Sequence, residues 1–164
     1  MGNAEIGGET EMGLWESFFE STFDFIGDTV KDASNSIFAS ALRMEAKEKG
    51  ILYLPDCIKL IKYDYSNNVI AAVEKWQGKQ FLIEGKVTDI YFGRIFISYT
   101  MSHFSGEVLN VGCEFTEDHN SELAKLRRGF TVSIEGQGVF IFNNHTDILS
   151  CSLRNCKILR SSYS

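Results

Sequence analysis

The sequence has little of what marks membrane, secreted or disordered proteins. None of its apolar runs approaches the roughly 20 residues that cross a bilayer, and its amino terminus lacks the basic segment and apolar core of a signal peptide. Only one of the 164 residues is proline, whereas 44% are hydrophobic. Such a chain can bury a core and is not disordered. We therefore expect a folded, cytoplasmic protein.

Metal and disulfide patterns are also scarce. The four cysteines lack a spacing such as C-x2-C, so we expect free thiols in a reducing compartment. Cys113 falls between Val111 and Phe115 on the apolar side of a predicted strand, a position that suits a small core residue. Cys151 and Cys156 are five residues apart. A regular strand without a bulge places them on opposite faces, so we expect them not to pair.

Recognisable catalytic motifs are absent as well. The three histidines, His103, His119 and His145, lie in predicted loops or at strand ends and have no metal-ligand spacing. The chain has no nucleophile elbow, phosphate-binding loop or dinucleotide-binding glycine pattern. The Gly136-Gln137-Gly138 segment lies inside a strand pattern, where it predicts a bend or a bulge. We expect no enzymatic activity, no cofactor and no metal.

Residues 78–159 contain the clearest structural signal, a series of short alternating strands separated by turn residues. A short helix, predicted at 118–128 with Leu123 and Leu126 as its apolar residues, interrupts the series. Three strands, a helix and two more strands is the order of the OB fold, in which a five-stranded sheet closes into a barrel. The strands are predicted at residues 80–91, 94–101, 108–115, 130–142 and 149–159.

The segment before the barrel, residues 50–77, predicts further helices. Pro55-Asp56 marks the start of one helix. Asn67 or Asn68 can cap a second helix, which leads through Gly78 into the first strand. Trp76, near the end of this second helix, is expected in the core rather than on a ligand-binding surface.

Several motifs in this part of the chain resemble the tRNA_anti-like family of OB-fold domains, over about residues 58–159. Trp76 stands where the family usually has tyrosine, and the aromatic character is kept. The resemblance implies an OB barrel preceded by a helix, but it implies no particular ligand, because this fold carries many functions. The matching motifs are YSNNVIAAVEKWQGK at 65–79, IEGKVTDI at 83–90, VGCEF at 111–115, LRRG at 126–129, VSIEG at 132–136 and LRNCKI at 153–158.

Residues 14–47 form an amphipathic pattern of helical period. Five acidic residues recur every four positions and form an acidic ridge. Like charges at this spacing oppose an isolated helix, so burial of the apolar stripe must support it. The ridge consists of Glu16, Glu20, Asp24, Asp28 and Asp32. The stripe consists of Trp15, Phe18, Phe19, Phe23, Ile26, Val30, Ala33, Ile37, Ala41 and Met44.

The net charge of −6 lies wholly in the helical region. Residues 1–49 hold ten acidic and four basic residues, and residues 50–164 hold twelve of each. We therefore divide the chain into an acidic amphipathic helical region at 1–49 and an OB-fold domain with a leading helix at 50–164. The fold class is α+β, a five-stranded OB-fold β-barrel preceded by an amphipathic amino-terminal helical region. The concentration of negative charge in the helical region argues against an anionic membrane surface as the target. It also weakens the case for nucleic acid, which attracts basic surfaces.

Two kinds of partner follow from these features. The first is a protein, as in a small inhibitor or immunity-type protein whose acidic ridge covers a basic surface. The helix can instead pack on its own barrel or on a second copy of the chain. The alternative is single-stranded nucleic acid on the outer face of the barrel. The predicted protein-binding residues are Trp15, Glu16, Phe19, Glu20, Phe23, Asp24, Asp28 and Asp32, and the predicted nucleic-acid-binding residues are Lys86, Tyr91, Arg94, Phe96, Arg127 and Arg128.

Overall fold

The computed structural model describes residues 37–102 and 104–162. They form a β-barrel with helices packed against it. In chain order the elements are α1 (Ile37–Lys49), β1 (Leu52–Tyr53), α2 (Leu54–Asn67), α3 (Val69–Trp76), β2 (Gln80–Tyr91), β3 (Arg94–Thr100), β4 (Val108–Glu114), α4 (Asn120–Leu123), β5 (Thr131–Asn143) and β6 (Ile148–Ser162).

Five strands close the barrel in the OB order. Strand β2 pairs with β3, and β3 with β4, both antiparallel. Strand β4 then pairs in parallel with β6, β6 runs antiparallel to β5, and β5 returns antiparallel to β2. The two residues of β1 add to β2 in parallel. The predicted OB fold is confirmed, and the observed strands begin and end within three residues of the predicted ones.

Alternating side chains fill the barrel, as the strand patterns predicted. A Cβ atom at Gly85 would lie only 2.7 Å from the carbonyl oxygen of Ser98, so β2 and β3 approach each other here more closely than any other residue would permit. No helix within the described ranges is long and apolar enough to cross a membrane. The buried side chains of the strands include Phe81, Ile83, Val87, Ile95, Ile97, Val111, Cys113, Ile134 and Leu153.

Helices α2 and α3 form where the sequence predicted helices. Pro55 lies in the first turn of α2, where its missing N–H costs no hydrogen bond. The Asn68 side chain caps α3 by accepting a hydrogen bond from the Ala71 N–H at 3.1 Å. Trp76 is fully buried, which confirms its predicted place in the core. The predicted helix at 118–128 is shorter than expected, with a 3-10 turn at Glu117–His119 followed by α4.

Helix α1 packs on the barrel through a face that differs from the predicted stripe. Leu42 and Ala46 are buried against Tyr53 and Leu82. Ala41 and Met44, the last two members of the predicted stripe, are by contrast exposed. The predicted stripe was therefore wrong at these two positions. The apolar side chain of Leu82 on the outer side of β2 has to be covered, and the face of α1 that covers it is the one with Leu42 and Ala46. The stripe residues from Trp15 to Ala33 lie outside the described residues.

A bulge in β6 corrects the expectation for the last two cysteines. Gly136 of β5 faces both Asn155 and Cys156, because the register shifts between Glu135 and Gln137. Asn155 takes a φ of 51°, a left-handed conformation that asparagine tolerates better than most residues. The extra residue turns Cys156 inward, so Cys151 and Cys156 are both buried rather than on opposite faces. The register does shift at the predicted Gly136-Gln137-Gly138 segment, but the extra residue belongs to β6 and not to the strand of this segment.

Candidate functional site

Three exposed or half-buried side chains on the outer face of β2 and β3 lie in mutual contact. The rings of Tyr91 and Phe96 meet edge to face, with centroids 6.0 Å apart and planes at 89°. The guanidinium carbon of Arg94 lies 5.7 Å from the centroid of the Phe96 ring. Tyr91 keeps 57% of its surface exposed. We call Tyr91, Arg94 and Phe96 the outer-face cluster.

A bulge in β2 brings this cluster together. The register shifts between Val87, which pairs with Ile97, and Asp89, which pairs with Phe96. Thr88 is therefore an extra residue, and the inside and outside positions of β2 exchange beyond it. Without the shift, Tyr91 would follow the buried Val87 into the barrel. With it, Tyr91 stands opposite Arg94 on the outer face.

The Phe96 ring lies across a glycine on the neighbouring strand. Gly112 of β4 is the register partner of Phe96. A Cβ atom at position 112 would lie 3.2 Å from Cε1 of the ring, closer than ordinary contact between carbon atoms. The missing side chain thus leaves room for the ring against the sheet, the arrangement by which an aromatic residue covers a glycine on the next strand.

Charged groups surround the cluster in pairs. Arg94 donates to the Glu114 carboxylate across β3 and β4. Arg128 donates to Asp89 at 3.1 Å, and Asp89 is the register partner of Phe96. Both pairs are largely exposed, and exposed pairs contribute only about 0–1 kcal/mol. A phosphate group could therefore replace either carboxylate as the partner of the guanidinium.

The six residues predicted to bind nucleic acid are placed as follows. Tyr91, Arg94 and Phe96 form the cluster, and Arg128 reaches its edge through Asp89. Exposed Lys86 pairs in register with Ser98 of β3, on the same face. Exposed Arg127 makes no ion pair with a described residue. The eight residues predicted to bind a protein, from Trp15 to Asp32, lie outside the described residues.

An apolar pocket of about 590 Å³ adjoins the cluster. It lies between the end of β2, with the turn that follows, and α4. The Asn120 side chain joins these parts, because its Oδ1 accepts the Gly93 N–H at 2.9 Å. The sequence predicted Leu123 and Leu126 as the apolar residues of the helix, but no sequence pattern predicted that α4 lies against this turn. The lining residues are Ile90, Tyr91, Phe92, Asn120, Leu123 and Ala124.

The four cysteines are free and buried. Burial raises the pKa of the Cys151 thiol to about 12, and it also raises the pKa of Cys57. The pKa of Cys113 is raised, first by its hydrogen bond with Cys156 and then by burial. The thiols of Cys57, Cys113 and Cys151 are therefore protonated near neutral pH, whereas the thiolate is the reactive form.

The model of the tRNA_anti-like family matches residues 57–151. This match spans more than half of the chain and contains β2, β3, β4, α4 and β5. The chain belongs to the tRNA_anti-like family. The outer-face cluster and the pocket beside it both lie within the matched residues. No curated protein matches the chain.

Solved structures similar to this chain include a mitochondrial single-stranded DNA binding protein from S. cerevisiae, Rim1, with 16% identity over 52% of this chain and 98% of that one, at a TM-score of 0.38. Another is a putative nucleic acid-binding lipoprotein from Klebsiella pneumoniae, with 15% identity over 77% of this chain and 100% of that one, at a TM-score of 0.42. A third is an OBody bound to hen egg-white lysozyme, with 17% identity over 54% of this chain and 88% of that one, at a TM-score of 0.36.

Proposed function

We propose that this chain is a non-catalytic binding protein that holds single-stranded nucleic acid against the outer face of β2, β3 and β4. The outer-face cluster is the observation that carries the proposal. Exposed aromatic rings act as platforms on which bases stack, and each stacked base contributes about 1–3 kcal/mol. Tyr91 and Phe96 supply two such rings in edge-to-face contact.

Arg94 suits the same role. Its guanidinium already lies over the Phe96 ring, and a guanidinium can stack on an aromatic face while it donates to a phosphate. The Glu114 carboxylate holds Arg94 in place when no strand is bound. Phosphate can take over this contact because the pair is exposed and weak.

Lys86 and Arg127 supply further positive charge for the strand. Neither makes an ion pair with a described residue, and both are exposed. Because residues 50–164 as a whole are neutral, we expect few phosphate contacts and micromolar affinity. Two to four contacts would give a slope of roughly −1.5 to −3 when the logarithm of the binding constant is plotted against the logarithm of salt concentration.

The test is fluorescence anisotropy with labelled single-stranded DNA and RNA of mixed sequence at low salt. Phe96→Ala should weaken binding about tenfold, since it removes one stacking platform. Tyr63→Ala is the matched control, because Tyr63 is an aromatic of α2 with 62% of its surface exposed and lies outside the cluster. Absence of binding to either nucleic acid at low salt would refute the proposal, as would an equal loss in both variants.

A protein partner is the second candidate, and the charge distribution favours it. All of the net charge of −6 lies in residues 1–49, which suits a basic protein surface. The test is to change Glu20, Asp24 and Asp28 together to Lys and to measure association with a partner captured from native lysate. Slower association, together with loss of the faster association at low salt, would support this function. Unaltered association at low ionic strength would refute its electrostatic part.

A further inference from the structure

The pocket beside the outer-face cluster differs from a phosphate site in its lining. None of its six lining residues is charged. Ile90, Leu123 and Ala124 form apolar walls, and Tyr91 and Phe92 present aromatic rings at its border. At about 590 Å³ it falls in the size range of small-molecule sites, roughly 300–1,000 Å³. These properties suit a flat, partly apolar group such as a nucleobase.

The pocket is also continuous with the proposed binding face. Tyr91 both lines the pocket and contacts Phe96 in the cluster. A strand whose bases stack on Phe96 would pass Tyr91 and bring the next base to the pocket. Phe92 is 96% exposed, so a base seated there would cover an apolar ring that water now surrounds.

Asn120 provides the polar group that can distinguish bases. Its Oδ1 accepts the Gly93 N–H at 2.9 Å, and this donor fixes the orientation of the amide. The Nδ2 amino group makes no hydrogen bond with a described residue. The amino group is therefore left for a base, whereas the oxygen is already engaged with Gly93. The two-bond recognition of adenine by asparagine needs the oxygen as an acceptor and would have to share it with the Gly93 N–H.

We infer that this pocket receives one unstacked nucleobase with a ring carbonyl, and that Asn120 donates to that carbonyl oxygen. This inference rests on the proposed function and adds base selectivity to it. Thymine, uracil, cytosine and guanine carry such an oxygen, and adenine does not. At the N1 or N7 acceptors of adenine, the Asn120 amino group would lie beside the adenine amino group, which places two donors side by side. The third acceptor, N3, lies next to the sugar and is less accessible.

The experiment compares the affinity of the full-length chain for 15-nucleotide oligo-dT and oligo-dA by fluorescence anisotropy. One hydrogen bond changes affinity by roughly threefold to tenfold, so oligo-dT should bind more tightly than oligo-dA by that factor. Asn120→Asp keeps the oxygen that accepts from Gly93 and removes the amino group. It should abolish the preference by weakening oligo-dT binding.

Ser121→Asp is the matched control for added negative charge, because Ser121 is the exposed neighbour of Asn120 and does not line the pocket. It should weaken both oligonucleotides equally and leave the preference intact. Ala124→Trp is the second pocket variant, since Ala124 is exposed and a large ring there fills the pocket. It should also remove the preference. Melting curves establish that each variant is folded.

The outcomes separate the two proposals. If oligo-dT and oligo-dA bind equally, and Phe96→Ala weakens both, the pocket inference is wrong and the proposed function stands. A preference that survives both Asn120→Asp and Ala124→Trp also overturns the pocket inference. If neither oligonucleotide binds at low salt, the proposed function fails and the pocket inference fails with it.

Discussion

Two aromatic clusters of this protein, one beneath the helices and one on the outer face of the barrel, contain the same kinds of side chain. Beneath the helices, Trp76 stacks on Phe81 with ring centroids 6.5 Å apart and donates to Asp64 at 2.7 Å. Lys75 lies 5.0 Å from the Trp76 centroid and also donates to Asp64. On the outer face, Tyr91, Phe96, Arg94 and Glu114 repeat this combination of rings, cation and carboxylate.

The two clusters differ in what covers them. Helices α2 and α3 bury the Trp76 cluster, so its rings contribute to stability through lost contact with water. No described element covers the outer-face cluster, and its rings remain free to bury against another molecule. The same chemistry therefore stabilises the fold in one place and is available for binding in the other.

The largest expected effect comes from the covered cluster. Trp76→Ala should lower the free energy of unfolding by about 3–5 kcal/mol, because it leaves a large cavity and removes a hydrogen bond to Asp64. Urea denaturation measures this change. Phe96→Ala should cost under about 1.5 kcal/mol, since its ring is only half buried and full burial of such a ring contributes about 1.5–3 kcal/mol. Equal losses from the two substitutions would contradict the contrast between the clusters.

The next effect concerns the ion pair that joins α1 to α2. Arg43 donates through Nε to Asp56 at 2.5 Å and through Nη2 at 2.9 Å, and Asp56 is buried. Arg43→Met should destabilise the protein by about 3 kcal/mol, because a buried carboxylate without its partner is costly. Thermal melting measures the loss. The double variant with Asp56→Asn should recover part of it, whereas no recovery would mean that packing alone is responsible.

A smaller effect is expected at the edge of the outer-face cluster. Glu114→Gln removes the carboxylate that competes with phosphate for Arg94. We expect binding of single-stranded nucleic acid to tighten by about threefold at low salt, with a steeper dependence on salt. Anisotropy titrations at several salt concentrations measure both quantities. Glu122→Gln, at an exposed residue of α4, is the control for the change in net charge, and an equal gain there would show a general electrostatic effect.

The smallest effect is expected at an exposed ion pair between α1 and β6. Arg160 donates to Glu45 at 2.6 Å and lowers the pKa of that carboxyl group. Its contribution to stability is therefore present above the ordinary glutamate pKa and disappears as the pH falls through the lowered value. Glu45→Gln should cost less than about 1 kcal/mol at pH 7 and nothing at pH 2. A loss that persists at pH 2 would contradict this assignment.

Local patterns in the sequence determined the order of the elements and most of the core. Alternation along β3 and β4 placed Ile95, Ile97, Val111 and Cys113 inside the barrel, because side chains of a regular strand point alternately to its two faces. The buried position of Trp76 could be predicted because it lies on the apolar side of a helix pattern that ends before Gly78. The candidate residues Tyr91, Arg94 and Phe96 could be proposed because the OB order pointed to the second and third strands of the barrel, β3 and β4, and the loops beside them.

Only the tertiary structure decided the details that make a site. The bulges at Thr88 and Asn155 exchange the inward-facing and outward-facing positions of their strands. Tyr91 therefore points outward and Cys156 points inward. Such shifts depend on how two strands pair, and one strand's alternation does not contain that information. Helix α1 buries Leu82, and the Asn120 bond to Gly93 joins segments 27 residues apart. Contacts between distant residues are set by packing, so the pocket beside Tyr91 could not be derived from local periodicity.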